Sequence, residues 1–534
     1  MQNLLSINTL RERPRLNRFG HIAHCHPNTI VCTVVRMARG WCHLDQAQRP
    51  RGEISLFLDT RWLFRPLHSF RVLKTRPFTE ILATRWQIEA ILSSYGNLFI
   101  PLVEKTITII DMHLFKALLS FALAAMLAVC CGGEQPQPVN PDDKTGPDTP
   151  SSPETPSIEP LDKATMPILA WYSIPPEHAT LDRYKELKKA GFTINFSHIY
   201  SLEDAMQSLD LAKQAGIKVI FMCPTLESDT ENVVKQVKDH PALCGYFLRD
   251  EPTNADLPAL AAWADRIRAV DPNHEIYLNL FPNYVDEATL GSTYEEYVKQ
   301  FTKTVKTTML SFDHYPVLES GVVRGGWWEN LEIISREAAA AGLPMWAFTL
   351  STAHHPYPVA TQASLRLQLY TDLAYGAQCL QYFTYWCPTP GTWDFHDAPI
   401  AEDGTKTAVY DLVKDMNKEI QKRAGVWVGC KVQKVYHVGG DIPNGVTTLP
   451  SPLPEPLKKL DTKGGEALIS FLENGNYLYA MLVNRSHLQG FDYSIAFTKD
   501  VAQVYEEGSV VAIPGRTANR HLDPGDCAIF RMEK

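Results

Sequence analysis

Motifs that hold metals or acyl groups are missing from this sequence. The cysteines after residue 131 (Cys223, Cys244, Cys379, Cys387, Cys430 and Cys527) form no Cys-x-x-Cys pair, and no His-Glu-x-x-His occurs. Zinc therefore finds no ligand set of the usual spacing, and no metal or other cofactor is expected. No Gly-x-Ser-x-Gly elbow supports an acyl-transfer serine. Positive charge is short as well. Against 60 Asp+Glu stand 51 Lys+Arg, a net of −9, so the total charge offers nothing to nucleic acid. What is present is ordinary globular composition, 45% apolar and 21% charged. A chain of 534 residues has room for about three domains.

The charge is unevenly placed. Residues 1–111 carry 15 Lys+Arg against 8 Asp+Glu, and arginine outnumbers lysine 13 to 2. No helical or strand period persists there, and Arg11-Glu12-Arg13-Pro14-Arg15 suits neither a core nor a regular helix. A new start stands at Met112. Lys116 precedes an apolar run from Ala117 to Val129, followed by Cys130-Cys131-Gly132-Gly133. At about 13 residues the run is too short for a comfortable membrane span but has the form of a secretory signal. The two cysteines resemble a bacterial lipoprotein signal, which makes Cys130 or Cys131 the candidate lipidation site; a plain cleaved signal or a short anchor is the alternative. A signal acts at an N-terminus, so 1–111 is expected to be upstream sequence read from a wrongly assigned start, or else a genuine extension. Residues 132–160 are rich in Pro, Asp, Thr, Ser and Glu, a composition that forbids a packed core and suits a tether. Together these features predict a lipid-anchored protein of the bacterial cell envelope, at the periplasmic face or the cell surface.

From residue 161 the pattern changes. Short apolar runs at 168–172, 192–196, 217–222, 243–248, 276–280, 309–312, 345–350 and 380–385 alternate with helical patterns. Thr180 and Ser201 are placed to cap two of the helices, and Gly191 and Gly216 to end them. Runs without polar alternation imply strands buried on both faces, hence a parallel sheet. Eight βα units of about 30 residues predict a (β/α)8 barrel over 161–425. A doubly wound sheet is the rival, but Ser173-Ile174-Pro175-Pro176 is not the Gly-rich loop such a fold usually carries. Residues 426–534 lose the helical period. Strand-like runs at 426–438, 467–472, 477–483, 493–497 and 527–531 predict a small β-sandwich.

Barrels carry their chemistry where the strands end. The fourth strand runs into Arg249-Asp250-Glu251-Pro252 and the sixth into Asp313-His314-Tyr315. A carboxyl desolvated at such a place has a raised pKa and can act as a general acid near neutral pH. A solvated loop with an internal ion pair is the competing reading of 249–251. A regular strand cannot turn both Asp250 and Glu251 inward, so one of them must sit on a bulge or in the loop. Aromatic residues gather at the same strand ends: Trp171, Tyr172, Tyr200, Tyr284, Trp327, Trp328, Tyr357, Trp386 and Trp393. Aromatic faces suit sugar rings, and the concentration on one rim counts for more than any single member. His354-His355 reads as a loop, because adjacent side chains diverge.

With these residues, segment 167–423 resembles the clan A glycoside hydrolases, a superfamily of retaining β-glycosidases that includes β-galactosidases with a C-terminal β-domain. The resemblance implies carbohydrate as substrate, with Glu251 at the position of the clan's acid/base glutamate and Asp250 replacing the asparagine usually before it. It implies that His314 and Tyr315 stand near the clan's His-x-Tyr element and that Trp386 lines a sugar subsite. Asp403-Gly404, Tyr410 and Asn417 also look like such enzymes. One departure matters: the clan's nucleophile is a glutamate ending the seventh strand, and residues 346–355 here contain no carboxylate. Three accounts stay open. Another carboxylate serves, with Asp313 preferred over Glu319, Asp394 and Asp397; or the substrate's own acetamido group attacks, beside the Asp250-Glu251 pair; or the barrel binds glycans without cleaving them. The expectation is a glycosidase with Glu251 and Asp313 catalytic. Asp250, His314, Tyr315, Trp386, Trp171, Tyr172 and Tyr200 are expected at the substrate. The rival is a non-catalytic glycan-binding lipoprotein.

Overall fold

The structure is a computed structural model and describes residues 160–534. The expected upstream region 1–111, the signal 112–131 with Cys130 and Cys131, and nearly all of the tether lie outside the described residues. Among the described residues, no helix is long and apolar enough to cross a membrane.

Eight strands close a parallel barrel in chain order. They are β1 (Ile168–Trp171), β2 (Ile194–Asn195), β3 (Lys218–Phe221), β4 (Leu243–Asp250), β5 (Glu275–Leu280), β6 (Leu310–Phe312), β7 (Met345–Leu350) and β8 (Ala377–Phe383). β8 pairs with β1 from Ile168↔Leu380 to Trp171↔Phe383, which completes the ring. The principal helices are α1 (Leu181–Lys189), α2 (Leu202–Ala215), α3 (Thr230–Val237), α4 (Leu257–Val270), α5 (Tyr294–Thr304), α6 (Gly326–Ala341), α7 (Gln362–Ala374) and α8 (Ala408–Lys422). Local signals place several ends. The Thr180 hydroxyl accepts from Arg183 N–H and the Ser201 hydroxyl from Asp204 N–H, while Gly216 closes α2 at φ 70.

Each strand has an inner and an outer row. Leu169 and Trp171, Tyr277, and Trp346 and Phe348 point into the barrel. Ile168 and Ala170, Ile276 and Leu278, and Met345 and Ala347 pack outward on the helices. Trp171, Phe196, Phe247, Tyr277 and Phe348 stack with ring centroids 4.4–6.4 Å apart and plug the interior. The barrel is thus a filled core, open for chemistry only above that plug.

The C-terminal region forms two antiparallel sheets. Its strands are β9 (Lys431–Val438), β10 (Leu457–Asp461), β11 (Ala467–Asn474), β12 (Tyr477–Asn484), β13 (Phe491–Phe497), β14 (Ala502–Val504), β15 (Val510–Ala512), β16 (Thr517–Leu522) and β17 (Cys527–Glu533). The larger sheet runs β15-β14-β17-β12-β11-β9 and the smaller β10-β13-β16. In β11, Ala467, Ile469 and Phe471 fill the space between the sheets. Leu468 and Leu472 join the barrel's outer core, and Ser470 Oγ donates to Ala374 O at the end of α7 (2.6 Å). A strand buried on both faces explains why α7, which it covers, is buried all round.

Several expected boundaries differ. β2 is only two residues long, and β8 begins three residues earlier than the apolar run suggested. Residues 424–427 make a helical turn, so the ninth strand starts at Lys431. β10, β14 and β15 are only three to five residues long and the edge strand β16 is largely polar, so none of the four was legible as a strand. All six described cysteines are free thiols.

Candidate active site

The end of β4 is bent by a bulge. Phe247 pairs with Tyr277, but the next partner of Leu278 is Arg249, which leaves Leu248 as the extra residue. One inserted residue exchanges the faces that follow it. Arg249 therefore turns outward, where it stands 3.9 Å from Asp256, and Asp250 turns inward opposite Asn279. Glu251 N–H still donates to Asn279 O (2.8 Å), while φ 47 at Glu251 swings the chain out of the strand. A non-glycine residue held at positive φ is a strained position.

Asn279 organises the acids. Its Nδ2 donates to Asp313 Oδ1 at 2.7 Å and to Asp250 Oδ1 at 3.3 Å. A shared donor at those distances keeps the two oxygens within about 6 Å of each other, in the range of paired glycosidase carboxyls. Asn279 is in turn fixed from below. Ser311 Oγ donates to its Oδ1 (2.8 Å), Gln381 Nε2 donates to Ser311 Oγ (2.9 Å), and Tyr277 hydroxyl donates to Gln381 Oε1 (2.5 Å). This chain fixes the amide orientation, so Nδ2 is the atom presented to the acids. Sequence reading missed Asn279, Ser311, Gln381 and Tyr277. Their signal was polar atoms at inward positions of strands that are otherwise apolar.

The three acids differ in surroundings. Asp313 is buried, at 8% exposure, and its carboxyl is held well above the usual range by burial and by the charges of Glu251 and Asp250. Glu251 is half-buried and is pushed up to about 7, first by burial and then by the Asp250 charge. Asp250 is pushed up to about 6 by the protein around it, against the Asn279 hydrogen bond. Its side chain is nonetheless open to water at the mouth, which offsets part of that push. Such a cluster resists carrying three negative charges at neutral pH and retains a proton.

The remaining predicted residues fall into two groups. His314 and Tyr315 follow Asp313 and are buried. Asn330 Oδ1 accepts from His314 Nδ1 (3.0 Å), because Asn330 Nδ2 is committed to the Tyr294 hydroxyl. The imidazole is neutral, pushed down to about 4 by burial, and its Nε2 has no partner. Tyr315 packs on Phe383 and Tyr357. On the opposite side, Tyr172 is half-buried at φ 43 with its ring edge-on to His198, and Tyr200 is 75% exposed.

Two expectations are corrected. Trp386 lines no open subsite: it is 1% exposed, stacked against His178 at 4.8 Å, covered by the Arg183 guanidinium at 5.2 Å and backed by Gly404. Trp171 belongs to the aromatic plug. Trp327 and Trp328 are likewise core residues of α6. The end of β7 holds Leu350 inward, followed by Ser351 and Thr352, which bond to Thr384. Of the other carboxylates considered, Glu319 pairs with His355, Asp394 accepts from His355 N–H, and Asp397 pairs with His396. Asp313 alone of the four joins Asp250 and Glu251.

No family model and no curated protein matches the sequence. Among solved structures, the chain is similar to the β-galactosidase of Bacillus circulans sp. alkalophilus, at 8% identity and TM-score 0.47 over 70% of this chain and 100% of that one. A glycoside hydrolase family 5 protein of Bacteroides vulgatus ATCC 8482 gives 10% identity and TM-score 0.46 over 69% and 89%. The β-galactosidase of Marinomonas ef1 gives 11% and 0.37 over 48% and 60%, so the chain spans about three fifths of that enzyme's length. These neighbours are glycoside hydrolases; the barrel itself rests on the strand pairing described above and not on their likeness.

Proposed function

We propose that this chain is a glycoside hydrolase that cleaves O-glycosidic bonds of oligo- or polysaccharides. One observation carries the reading: Asp250 and Asp313 share the Asn279 amide at the mouth of a filled barrel, Glu251 is tied to the Asn279 carbonyl by its N–H, and among the described residues no cation is bonded to the three acids. Glu251 is the general acid. Its carboxyl keeps a proton up to about pH 7 and delivers it to the departing glycosidic oxygen. Asp313 is the second carboxylate; although burial and the charges of Glu251 and Asp250 raise its pKa, it acts in the molecules where the shared proton sits on Glu251, attacking the anomeric carbon or activating the water that does. Asp250 raises the Glu251 pKa and offers hydrogen bonds to sugar hydroxyls at the open side. His314 and Tyr315, which follow Asp313, and Tyr172 and Tyr200, beyond the ends of β1 and β2, are the proposed further sugar contacts.

A second reading draws on the end of β7. Leu350, Ser351 and Thr352 stand where a clan A nucleophile would be, which suits a barrel that binds glycans and no longer cuts them. A panel of aryl glycosides and polysaccharides separates the two. The hydrolase reading expects turnover that falls above about pH 7 and drops at least about 1,000-fold in Glu251→Gln and Asp313→Asn. If wild type and both variants are equally inert while all retain glycan, the binding reading holds. The cell-envelope location belongs to the same proposal, with Cys130 or Cys131 acylated. Labelled palmitate incorporated by the bacterial host and lost on substitution of both cysteines tests it.

A further inference from the structure

Arg324 stands one layer of aromatic rings from the acids and, among the described residues, has no acid of its own. Arg324 lies between β6 and α6, where its N–H donates to Pro316 O (2.9 Å) and the Val317↔Val323 bridge closes the hairpin before it. Its guanidinium lies over Tyr284 at 4.9 Å and over Tyr357 at 5.6 Å. Nη2 donates to the Tyr357 hydroxyl (3.3 Å), and Nε is buried with no acceptor. Among the described residues no carboxylate forms an ion pair with it. The two tyrosines join it to the site. Tyr284 is edge-on to His314 at 5.0 Å and Tyr357 is edge-on to Tyr315 at 5.8 Å, and both of those residues directly follow Asp313.

Packing alone does not account for this arrangement. Other buried arginines have their terminal nitrogens bonded, Arg366 and Arg423 to acids and Arg485 to main-chain oxygens, although the Nε of Arg366 and of Arg423 also lacks an acceptor among the described residues. Here stacking fixes the guanidinium plane and leaves N–H groups without carboxylate partners, the arrangement that receives a planar oxyanion. α6 opens directly after it at Gly325 with no capping side chain, which adds potential of the same sign. The nearby acids are engaged elsewhere: Asp313 with Asn279, Glu319 with His355, and exposed Glu329 toward Asn283 (3.5 Å).

We infer that Arg324 receives an oxyanion carried by the substrate, a ring carboxylate or a sulfate ester on the sugar held over Asp313. The inference rests on the hydrolase reading and narrows it to acidic glycans. Matched aryl glycosides test it, each neutral sugar set against its uronic acid and its 6-sulfate. One anionic member is expected to exceed its neutral partner about 100-fold in kcat/KM, as a bidentate charge-assisted pair allows. Which member does so identifies carboxylate or sulfate. Arg324→Met brings the ratio close to one, and Arg324→Lys retains part of it; Arg324→Gln replaces the first if that variant does not fold. Neutral sugars cleaved as well as anionic ones, or a preference that survives Arg324→Met, overturns the inference while leaving the hydrolase reading intact. If no sugar is cleaved, the hydrolase reading falls and retention on an immobilised polyuronate and its carboxyl-reduced form decides. Retention of the polyuronate alone, lost in Arg324→Met, upholds the anion site; equal retention or none overturns it.

Discussion

Two clusters of acids in this molecule are built from the same residue types and balanced in opposite ways. Between the barrel and the β-sheets, Glu419, Glu506 and Asp526 bring acceptor atoms within 4.8 Å of one another, a spacing a cation could use. Two guanidiniums already occupy it. Arg366 reaches Asp526 at 3.3 Å, Glu506 at 3.4 Å and Glu419 at 3.6 Å, while Arg423 reaches Glu419 at 2.5 Å and donates to the Tyr370 hydroxyl at 2.6 Å. At the mouth, Asp250 and Asp313 share one amide donor beside Glu251, and among the described residues no cation is bonded to the three. Paired charges at the junction join two layers. At the mouth the Asp250 charge raises the pKa of Glu251 and of Asp313, a cost that packing does not explain.

The sharpest way to break this contrast is at the acids themselves. Glu251→Gln and Asp313→Asn are expected to cut kcat/KM at least about 1,000-fold while the melting temperature holds or rises. Activity that survives either change would make the mouth a second structural cluster. The opposite signature belongs to the junction. Arg423→Met leaves Glu419 without its nearest cation and is expected to cost about 3–5 kcal/mol in urea unfolding, as loss of one partner of a buried pair does. The folded fraction of that variant should keep the wild-type KM.

Parts of this contrast were legible in the sequence. Closure into eight units follows from period alone, and Asp313 was readable because it directly ends a strand. The conflict between Asp250 and Glu251 was also readable, since side chains alternate. Its resolution was not, because the bulge at Leu248 depends on how β4 pairs with β5. Trp386 was misread for a similar reason. The groups that cover it, His178, Arg183 and Gly404, come from distant segments of chain. Asn279 passed as one polar residue in an apolar strand, and only the ring brings it to both acids.

Removing that shared donor tests whether the mouth works as a unit. Its hydrogen bonds lower the pKa of both Asp250 and Asp313. In Asn279→Ala both therefore rise. On the role proposed for Asp313, which needs it ionised, the acid limb of the rate profile should move to higher pH, with a loss that grows as the pH falls. A uniform loss at every pH would mean that Asn279 supports packing only.

The smallest effect is the most diagnostic, because it reverses the usual sign of a substitution. The folded pKa of Glu251 lies near 7, above the ordinary glutamate value of 4.5. A raised carboxyl pKa means that the folded state binds the proton more tightly than the unfolded chain does. Stability relative to a neutral side chain is intact below about pH 4.5 and declines until the folded group has ionised near pH 7. Glu251→Gln removes that penalty. The variant should match wild type at pH 4 and exceed it at pH 8 by about 1 kcal/mol, the full shift being discounted for the water that reaches the mouth. Urea midpoints at the two pH values measure the difference. A variant less stable than wild type at pH 8 would mean that an unrecognised partner already compensates Glu251, and the two acid clusters would then be of one kind.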